Sequence, residues 1–243
     1  MKLLKLFLGI AIITSSSVNA QWWGGKKING NGEETTKTRS LGEYDKVKVR
    51  GSLDVDLVYG TEGSIKIEAE SNLIEYIVTE VENNALELYI KKGYNLRTSR
   101  GKKILITVPF KDISEVTLSG SGDIAGKDVI KANDFRTAVS GSGDITISVE
   151  ANRTVAQISG SGGLVIKGNS DNFDAKLSGS GDIEAFDFKA KHVDAAISGS
   201  GDIEVTATES IKARVSGSGD IDYLGNPEKE EKTVSGSGDI TKR

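Results

Sequence analysis

The chain has 243 residues, with 31 Lys and Arg, 35 Asp and Glu, one His, two Pro, 29 Gly and no cysteine. The formal net charge of −4 argues against a nucleic-acid partner, because binding to phosphates requires a basic face. The lack of cysteine excludes a disulfide framework and a lipid-modified cysteine, so the packing of the core must stabilise the fold.

Residues 1–20 have the pattern of a secretory signal peptide. Lys2 and Lys5 form a basic start, residues 6–13 are mostly apolar, and Ala20 ends a small-x-small cleavage pattern. The apolar run is shorter than the ~20 residues that a membrane-spanning helix needs. We therefore predict an exported protein, located in the periplasm, at the cell surface or outside the cell, that is not an integral membrane protein.

Residues 21–34 show no periodicity and are predicted to form a flexible leader. The adjacent Trp22 and Trp23 leave a second interpretation open, in which this segment docks as an aromatic anchor.

Residues 35–113 are predicted to form an irregular, strand-rich head. Apolar and polar residues alternate in several short runs, which is the period-two pattern of half-buried strands. Glycine- and asparagine-containing turns separate these runs, and one short helical turn is predicted around residues 72–76.

Residues 114–243 contain the hexapeptide Ser-Gly-Ser-Gly-Asp-Ile six times and a Ser-Gly-Ser-Gly-Gly-Leu variant once. Successive copies begin 21, 19, 19, 20, 18 and 19 residues apart, which is typical of a solenoid with ~19-residue rungs. The seven copies begin at Ser119, Ser140, Ser159, Ser178, Ser198, Ser216 and Ser235.

The parity of the repeat predicts which side chains form the core. If the first serine is position 0, aliphatic residues occupy positions −1 and +5 in all seven copies, and small residues occupy most −3 positions. All of these positions are odd, so one side of the strand faces inward throughout. The glycines at +1 and +3 are predicted to turn a corner or to approach the opposite wall.

A degenerate first rung is predicted around Arg50. Val47, Val49, Val55 and Leu57 fall on inward positions when Arg50 is position 0. The head would then merge with the solenoid and cap its first rung, because an exposed rung is an open sheet edge.

Position +4 supplies an outward column of aspartates, which is the main candidate site. One interpretation is a face that binds a cation or a glycan, and the other is a structural role in which each carboxylate accepts hydrogen bonds from Gly N–H or Ser hydroxyl groups. We favour the structural role and predict no cofactor, no metal ligand and no catalytic residue. The six aspartates are Asp123, Asp144, Asp182, Asp202, Asp220 and Asp239.

The interpretation as an enzyme is weaker. A carbohydrate-active enzyme would need acidic residues outside the repeat that converge in one groove. The single histidine, His192, lies at a predicted turn and is expected to be solvated.

The charged C-terminal rung, which contains Pro227, is predicted to fray or to pair with another copy of the chain.

The motifs together resemble a known family. The run from Glu43 to Gly60, the segment 68–76, the strand 104–109 and the Ser-Gly-Ser-Gly-Asp array are similar to the auto-transporter adhesin head GIN domain of secreted Bacteroidetes-type proteins. The resemblance implies an all-β, right-handed, single-stranded parallel β-helix at the cell surface or outside the cell. It implies no catalytic residues. We predict a non-enzymatic adhesin, binding or scaffold module, with glycans or surface proteins as partners. The alternatives are a pectin-lyase-like enzyme and a calcium-stabilised assembly.

Overall fold

A computed structural model describes residues 25–243 of the chain. Almost all of these residues lie in strands or in the turns between them, and the only helical element among them is a 3-10 turn at Ile74–Tyr76. The predicted signal peptide, Trp22 and Trp23 lie outside the described residues. No helix within residues 25–243 is long and apolar enough to cross a membrane.

The leader and the head together contain nine short strands. They are β1 (Lys26–Asn29), β2 (Glu34–Ser40), β3 (Lys46–Gly51), β4 (Asp54–Tyr59), β5 (Ser64–Glu70), β6 (Ile77–Glu82), β7 (Ala85–Ile90), β8 (Tyr94–Arg97) and β9 (Leu105–Phe110).

The repeat region contains nine strands, five of which run through corners and are therefore long. They are β10 (Glu115–Gly120), β11 (Asp123–Gly141), β12 (Asp144–Gly160), β13 (Gly163–Gly179), β14 (Asp182–Gly199), β15 (Ile203–Gly217), β16 (Ile221–Leu224), β17 (Lys229–Gly236) and β18 (Ile240–Lys242).

The repeats stack in parallel and in register, so the predicted solenoid is confirmed, with about seven turns. Each first serine pairs with the first serine of the next copy, from Ser119 and Ser140 to Ser216 and Ser235. Identical positions therefore form columns that run along the solenoid.

The structure has the degenerate first rung where the sequence predicts it. Strand β3 pairs with β10 so that Arg50 lies beside Ser119 and Gly51 beside Gly120. Strand β4 pairs with the beginning of β11, which brings Val55 next to Ile124. Residues 60–113 lie between this rung and β10, the strand that stacks beside β3. The inward residues of the two rungs, such as Val49 and Leu118, pack in one core.

The head covers the first rung with strands of both directions. β4 pairs in parallel with β9, and β9 continues through antiparallel pairs to β5 and then β2. β3 pairs in parallel with β7, which has β6 as its antiparallel neighbour. Among the antiparallel pairs, only β6 and β7 are joined by a short turn, at residues 83–84, as an antiparallel pair allows.

The leader differs from its prediction in the part that the structure describes. Residues 26–29 form β1, which pairs in parallel with β8 as a separate two-stranded sheet. The cause is tertiary: hydrogen bonds from Lys26 N–H to Gly93 O and from Gly30 N–H to Arg97 O extend the pairing at both ends. The sequence of the segment has no alternation that would have indicated it.

The core follows the predicted parity, with one exception at the last rung. Side chains at positions −1 and +5 are buried from Leu118 and Ile124 to Val215 and Ile221. In the last rung Val234 is 45% exposed, because no further rung covers it in the described chain. Burial of each large aliphatic side chain contributes about 1.5–3 kcal/mol, so the two columns supply a continuous stabilising core.

The repeat glycines approach the preceding rung and not the opposite wall. At position +1 of the third copy, Gly160 has a φ of +133°, which favours glycine. At position +3, a Cβ on Gly162 would lie 2.1 Å from the carbonyl oxygen of Gly143. The prediction of a corner was correct, but the close neighbour is the same position one rung earlier.

Candidate functional site

The predicted aspartate column is a chain of hydrogen bonds on one corner of the solenoid. A carboxylate oxygen of one rung accepts the main-chain N–H at the same position of the next rung. The donor–acceptor pairs are Asp123 N to Asp54 Oδ1 (3.3 Å), Asp144 N to Asp123 Oδ1 (3.3 Å), Gly163 N to Asp144 Oδ1 (2.6 Å), Asp202 N to Asp182 Oδ1 (3.1 Å), Asp220 N to Asp202 Oδ1 (2.9 Å) and Asp239 N to Asp220 Oδ1 (2.7 Å).

The column contains one interruption and one additional member. Gly163 offers no carboxylate, and Asp182 N–H instead donates to the carbonyl oxygen of Gly162 at 3.3 Å. Asp54, in the degenerate rung, extends the column into the head, and its burial raises the pKa of its carboxyl. The sequence predicted Gly N–H or Ser hydroxyl donors, whereas most of the donors are the N–H groups of the aspartates themselves.

A second acidic column runs beside the aspartates near the C-terminal end. Glu184 lies beside Glu204, and Glu204 beside Asp222, on consecutive rungs. Burial, and then the charge of Glu184, raise the pKa of Glu204. The guanidinium of Arg243 contacts Asp222 at 2.7 Å. Within residues 25–243 no three His, Cys, Asp or Glu side chains are grouped closely enough to hold a metal ion.

His192 has partners that the sequence did not indicate. Its Nδ1 lies 2.9 Å from Ser210 Oγ, and its Nε2 lies 3.7 Å from a carboxylate oxygen of Glu209. These three side chains meet because His192 and Ser210 occupy the same position in consecutive rungs. The histidine and Glu209 side chains are each at least half exposed, so the group lies on an open corner.

An open cleft lies where the head joins the solenoid, and acidic residues from outside the repeat line it. Two of them anchor the chain: Glu62 accepts the N–H groups of Tyr44 and Lys111, both at 3.1 Å, and Asp45 accepts the hydroxyl of Ser114 at 2.7 Å. The Tyr44 hydroxyl donates to the Pro109 carbonyl. Burial and the charge of Glu62 raise the Tyr44 pKa. We call this the junction cleft; it is lined by Glu43, Tyr44, Asp45, Thr61, Glu62, Asn84, Lys111 and Asp112.

A groove adjoins the junction cleft and shares Lys111 and Asp112 with it. We call it the Tyr59 groove; its other lining residues are Tyr59, Asp128, Val129 and Lys131. Tyr59 is the most exposed large apolar side chain among residues 25–243, at 65%. The side chain is exposed because β4 ends at Tyr59 and the chain turns away at Gly60.

Comparison with known proteins gives the same picture of the fold. The profile of the family described as "Putative auto-transporter adhesin, head GIN domain" matches residues 43–227. No curated protein sequence matches the chain.

Three solved structures are similar over most of their length. A "putative adhesin" from Bacteroides fragilis has 26% identity and a TM-score of 0.80, and covers 89% of this chain and 100% of its own. A "putative lipid binding protein" from Parabacteroides distasonis has 28% identity and a TM-score of 0.74, covering 90% and 100%. A "putative adhesin" from the same species, at 24% identity, a TM-score of 0.72 and coverage of 90% and 100%, shares the fold.

Proposed function

Because the chain belongs to the family described as "Putative auto-transporter adhesin, head GIN domain", we propose that it is an exported, non-enzymatic surface module that binds glycans. The observation that carries the proposal is the pair of open, contiguous depressions at the junction of head and solenoid, the junction cleft and the Tyr59 groove. A stacked solenoid holds such a surface rigidly, which lowers the entropic cost of binding an extended polymer.

We infer that the aspartate column is structural in this module. Neighbouring carboxylates at the ~4.8 Å spacing of rungs repel by roughly 1 kcal/mol in water. A hydrogen bond to a charged acceptor contributes about 1.5–3 kcal/mol when it is well formed, so the shorter bonds between rungs offset the repulsion. The column therefore needs no cation.

Binding to surface material tests the proposed function. The purified chain is incubated with intact bacterial cells, with extracted surface polysaccharide and with vesicles of phosphatidylcholine, and the retained fraction is measured after sedimentation. Retention by cells and polysaccharide is the expected result. Retention by vesicles alone would replace the proposal with lipid binding, the property named for one similar structure. Loss of retention by all three would overturn it.

Enzymatic turnover is the second arm of the same test. Acidic residues do line the junction cleft, and two of them, Asp45 and Glu62, are engaged in hydrogen bonds to the chain. The proposal expects no new reducing ends when the chain is incubated with pectin, xylan and β-glucan. Release of reducing ends that disappears in Asp112→Asn would identify the protein as a glycosidase or lyase.

Export is tested separately. A chain expressed with its first 20 residues is expected outside the cytoplasm, with a new N-terminus at Gln21. Mass spectrometry of the mature chain measures the cleavage, and an uncleaved cytoplasmic product would contradict export.

We also propose that the last rung contacts a second copy of the chain. All eight residues of β17 are exposed, and Val234 occupies a position that is buried in the six preceding copies. Such an edge offers unpaired main-chain groups to another strand. Light scattering is expected to show mass that increases with concentration, and Val234→Lys is expected to remove the increase. A constant monomer mass would contradict self-association.

A further inference from the structure

The Tyr59 groove contains most of the large exposed apolar side chains of the described residues. Within residues 25–243 only three large apolar side chains are classed as exposed, and two of them, Tyr59 at 65% and Val129 at 41%, line this groove. The third, Val234, lies in the last rung of the solenoid. Exposed apolar side chains that lie together mark binding surfaces more often than isolated ones do.

The aromatic ring is held in place before any ligand arrives. The Tyr59 N–H donates to Asp128 Oδ2 at 2.8 Å, which ties the end of β4 to the next rung. The ring packs nearly perpendicular to that of Phe110, with ring centroids 6.2 Å apart and planes at 84°. A ring fixed in this way loses little conformational entropy when a ligand stacks on its face.

Val129 is exposed because the rung is irregular at this point. The register between β11 and β12 shifts between Ala125 and Val129, which is a β-bulge or a similar irregularity. Bulges often redirect side chains beside functional sites. The Lys127 ammonium, 3.0 Å from Asp56, fastens the bulge to the preceding rung.

The charges around the groove balance. Two lysines, Lys111 and Lys131, and two aspartates, Asp112 and Asp128, line it, so the groove selects neither an anionic nor a cationic ligand. Lys131 also pairs with Glu150 at 3.1 Å. The groove therefore fits a neutral ligand that has one apolar face, to contact the Tyr59 ring, and hydrogen-bonding groups along its edge, to contact the charged side chains.

A pyranose ring has this chemistry. Its axial C–H groups form a weakly positive apolar face, which complements the negative face of an aromatic ring. Its hydroxyl groups both donate and accept hydrogen bonds, so they can bind an ammonium and a carboxylate at the same time. The groove volume of about 490 Å³ is in the range of small-molecule sites.

We propose that the Tyr59 groove binds one ring of a neutral polysaccharide, stacked on Tyr59 and bound through its hydroxyls by Lys111 and Asp112. This inference rests on the proposed glycan-binding function and assigns that function to the Tyr59 groove. Lys111 and Asp112 also line the junction cleft, so the adjoining rings of the polymer lie along that cleft.

Native electrophoresis in gels that contain a soluble polysaccharide tests the inference. The probes are mixed-linkage β-glucan, galactomannan and dextran, with polygalacturonate as the acidic comparison. We expect at least one neutral polymer to retard the wild-type chain. Tyr59→Ala and Val129→Arg are expected to lower that affinity about tenfold or more, as loss of a central aromatic contact does. Tyr59→Phe, which keeps the ring, should stay within about twofold of wild type.

The matched control is Lys176→Ala, which removes an exposed side chain from β13, outside both the Tyr59 groove and the last rung. It should bind like the wild type. Thermal unfolding of every variant shows whether the fold is kept. If Tyr59→Ala unfolds, Val129→Arg still tests the groove, because the exposed Val129 side chain can be replaced without disturbing the core. Retardation by polygalacturonate alone, or wild-type affinity in both groove variants, would overturn the inference.

The two proposals fail in different ways. If the wild type binds cells in the sedimentation experiment but no neutral polymer retards it, the groove assignment is wrong and the surface-binding function stands. If it binds neither, both are wrong.

Discussion

At the scale of single residues, Glu70 is a charged side chain that is fully buried in the head. Its carboxylate accepts the Gly32 N–H at 2.5 Å, the Ser99 N–H at 2.9 Å and the Ser99 hydroxyl at 2.6 Å. A Cβ on Gly30 would lie 2.0 Å from Glu70 Oε2, so glycine is needed for this close approach. Glu70 thereby joins the segment after β1 to the loop after β8.

Glu70 makes the stability of the head depend on pH. The Ser99 hydroxyl bond lowers the pKa of Glu70 most, burial opposes it, and the N–H groups of Ser99 and Gly32 lower the pKa further. Because the folded-state pKa lies below the ordinary value, ionised Glu70 stabilises the fold above that value. The contribution is lost as the pH falls through the folded-state pKa.

We expect Glu70→Gln to lower the free energy of unfolding by about 1–3 kcal/mol at pH 7, because the amide cannot accept all of these bonds. Denaturant unfolding across the acidic range measures the effect, and the difference from wild type should shrink as the pH falls. The exposed Glu33→Gln is the control. A difference that is constant with pH would contradict the assigned role of the charge.

Two buried threonines interrupt the apolar core. Thr137 and Thr154 face inward on neighbouring rungs, and the structure shows no hydrogen-bond partner for either hydroxyl in the described part of the chain. Thr154 lies between Phe135 and Phe173 in its column. A buried hydroxyl without a partner costs stability that a methyl group of the same shape does not.

Thr137→Val and Thr154→Val are therefore expected to raise the free energy of unfolding by about 1 kcal/mol each. Thermal and denaturant unfolding measure the change. Thr146→Val, at an exposed strand position, should stay within about 0.5 kcal/mol of wild type. Destabilisation by both core variants would show that the hydroxyls have partners, such as an internal water.

At the scale of the element, the Ser-Gly-Ser-Gly-Asp-Ile corner combines three separate requirements. The first glycine takes a positive φ, the second comes within van der Waals contact of the preceding rung, and the aspartate bonds to the next rung. The isoleucine returns the chain to the core. The hexapeptide repeats because each rung makes the same corner and therefore has the same three requirements.

Gly162→Ala tests the close approach apart from backbone strain, because Gly162 does not have a positive φ. Its Cβ would meet a main-chain oxygen at 2.1 Å, and that oxygen cannot move without shifting a whole rung. We expect a loss of at least about 3 kcal/mol or failure to fold. Gly42→Ala, where a Cβ meets nothing within 4 Å, is the control. Near-wild-type unfolding of Gly162→Ala would refute the close-approach argument.

At the scale of the whole molecule, stability should follow the number of neighbours that each rung has. The inner strands β12, β13 and β14 pair on both sides along most of their length, whereas β17 and β18 have a partner on one side only. Solenoid stability is approximately a sum of terms within rungs and terms between adjacent rungs.

Hydrogen exchange followed by mass spectrometry is expected to show a gradient along the solenoid. Amides of residues 229–242 should exchange first, and those of residues 144–199 last, because opening an inner rung breaks two interfaces. If the mass increase is uniform from β12 to β18, the molecule unfolds as one unit and the additive description is wrong.

The sequence by itself determined the solenoid, its register, its inward columns and the degenerate rung at Arg50. These features follow from periods of two and about nineteen, and a period imposes the same geometry wherever it occurs. The first rung could be recognised although 69 residues separate Arg50 from Ser119, because the alternation from Val47 to Leu57 matches the repeat.

Only the tertiary structure decided the contacts that lie outside the period. The partners of Glu70, the pairing of β1, the neighbours of His192 and the exposure of Tyr59 all join residues that share no pattern in the sequence. Tyr59 ends β4, and the register of the next rung shifts before Val129, so a strand end and an irregular rung together form the groove. Regular stacking builds the frame of this protein, and the irregular places in it, set by packing between distant segments, hold its candidate binding surface.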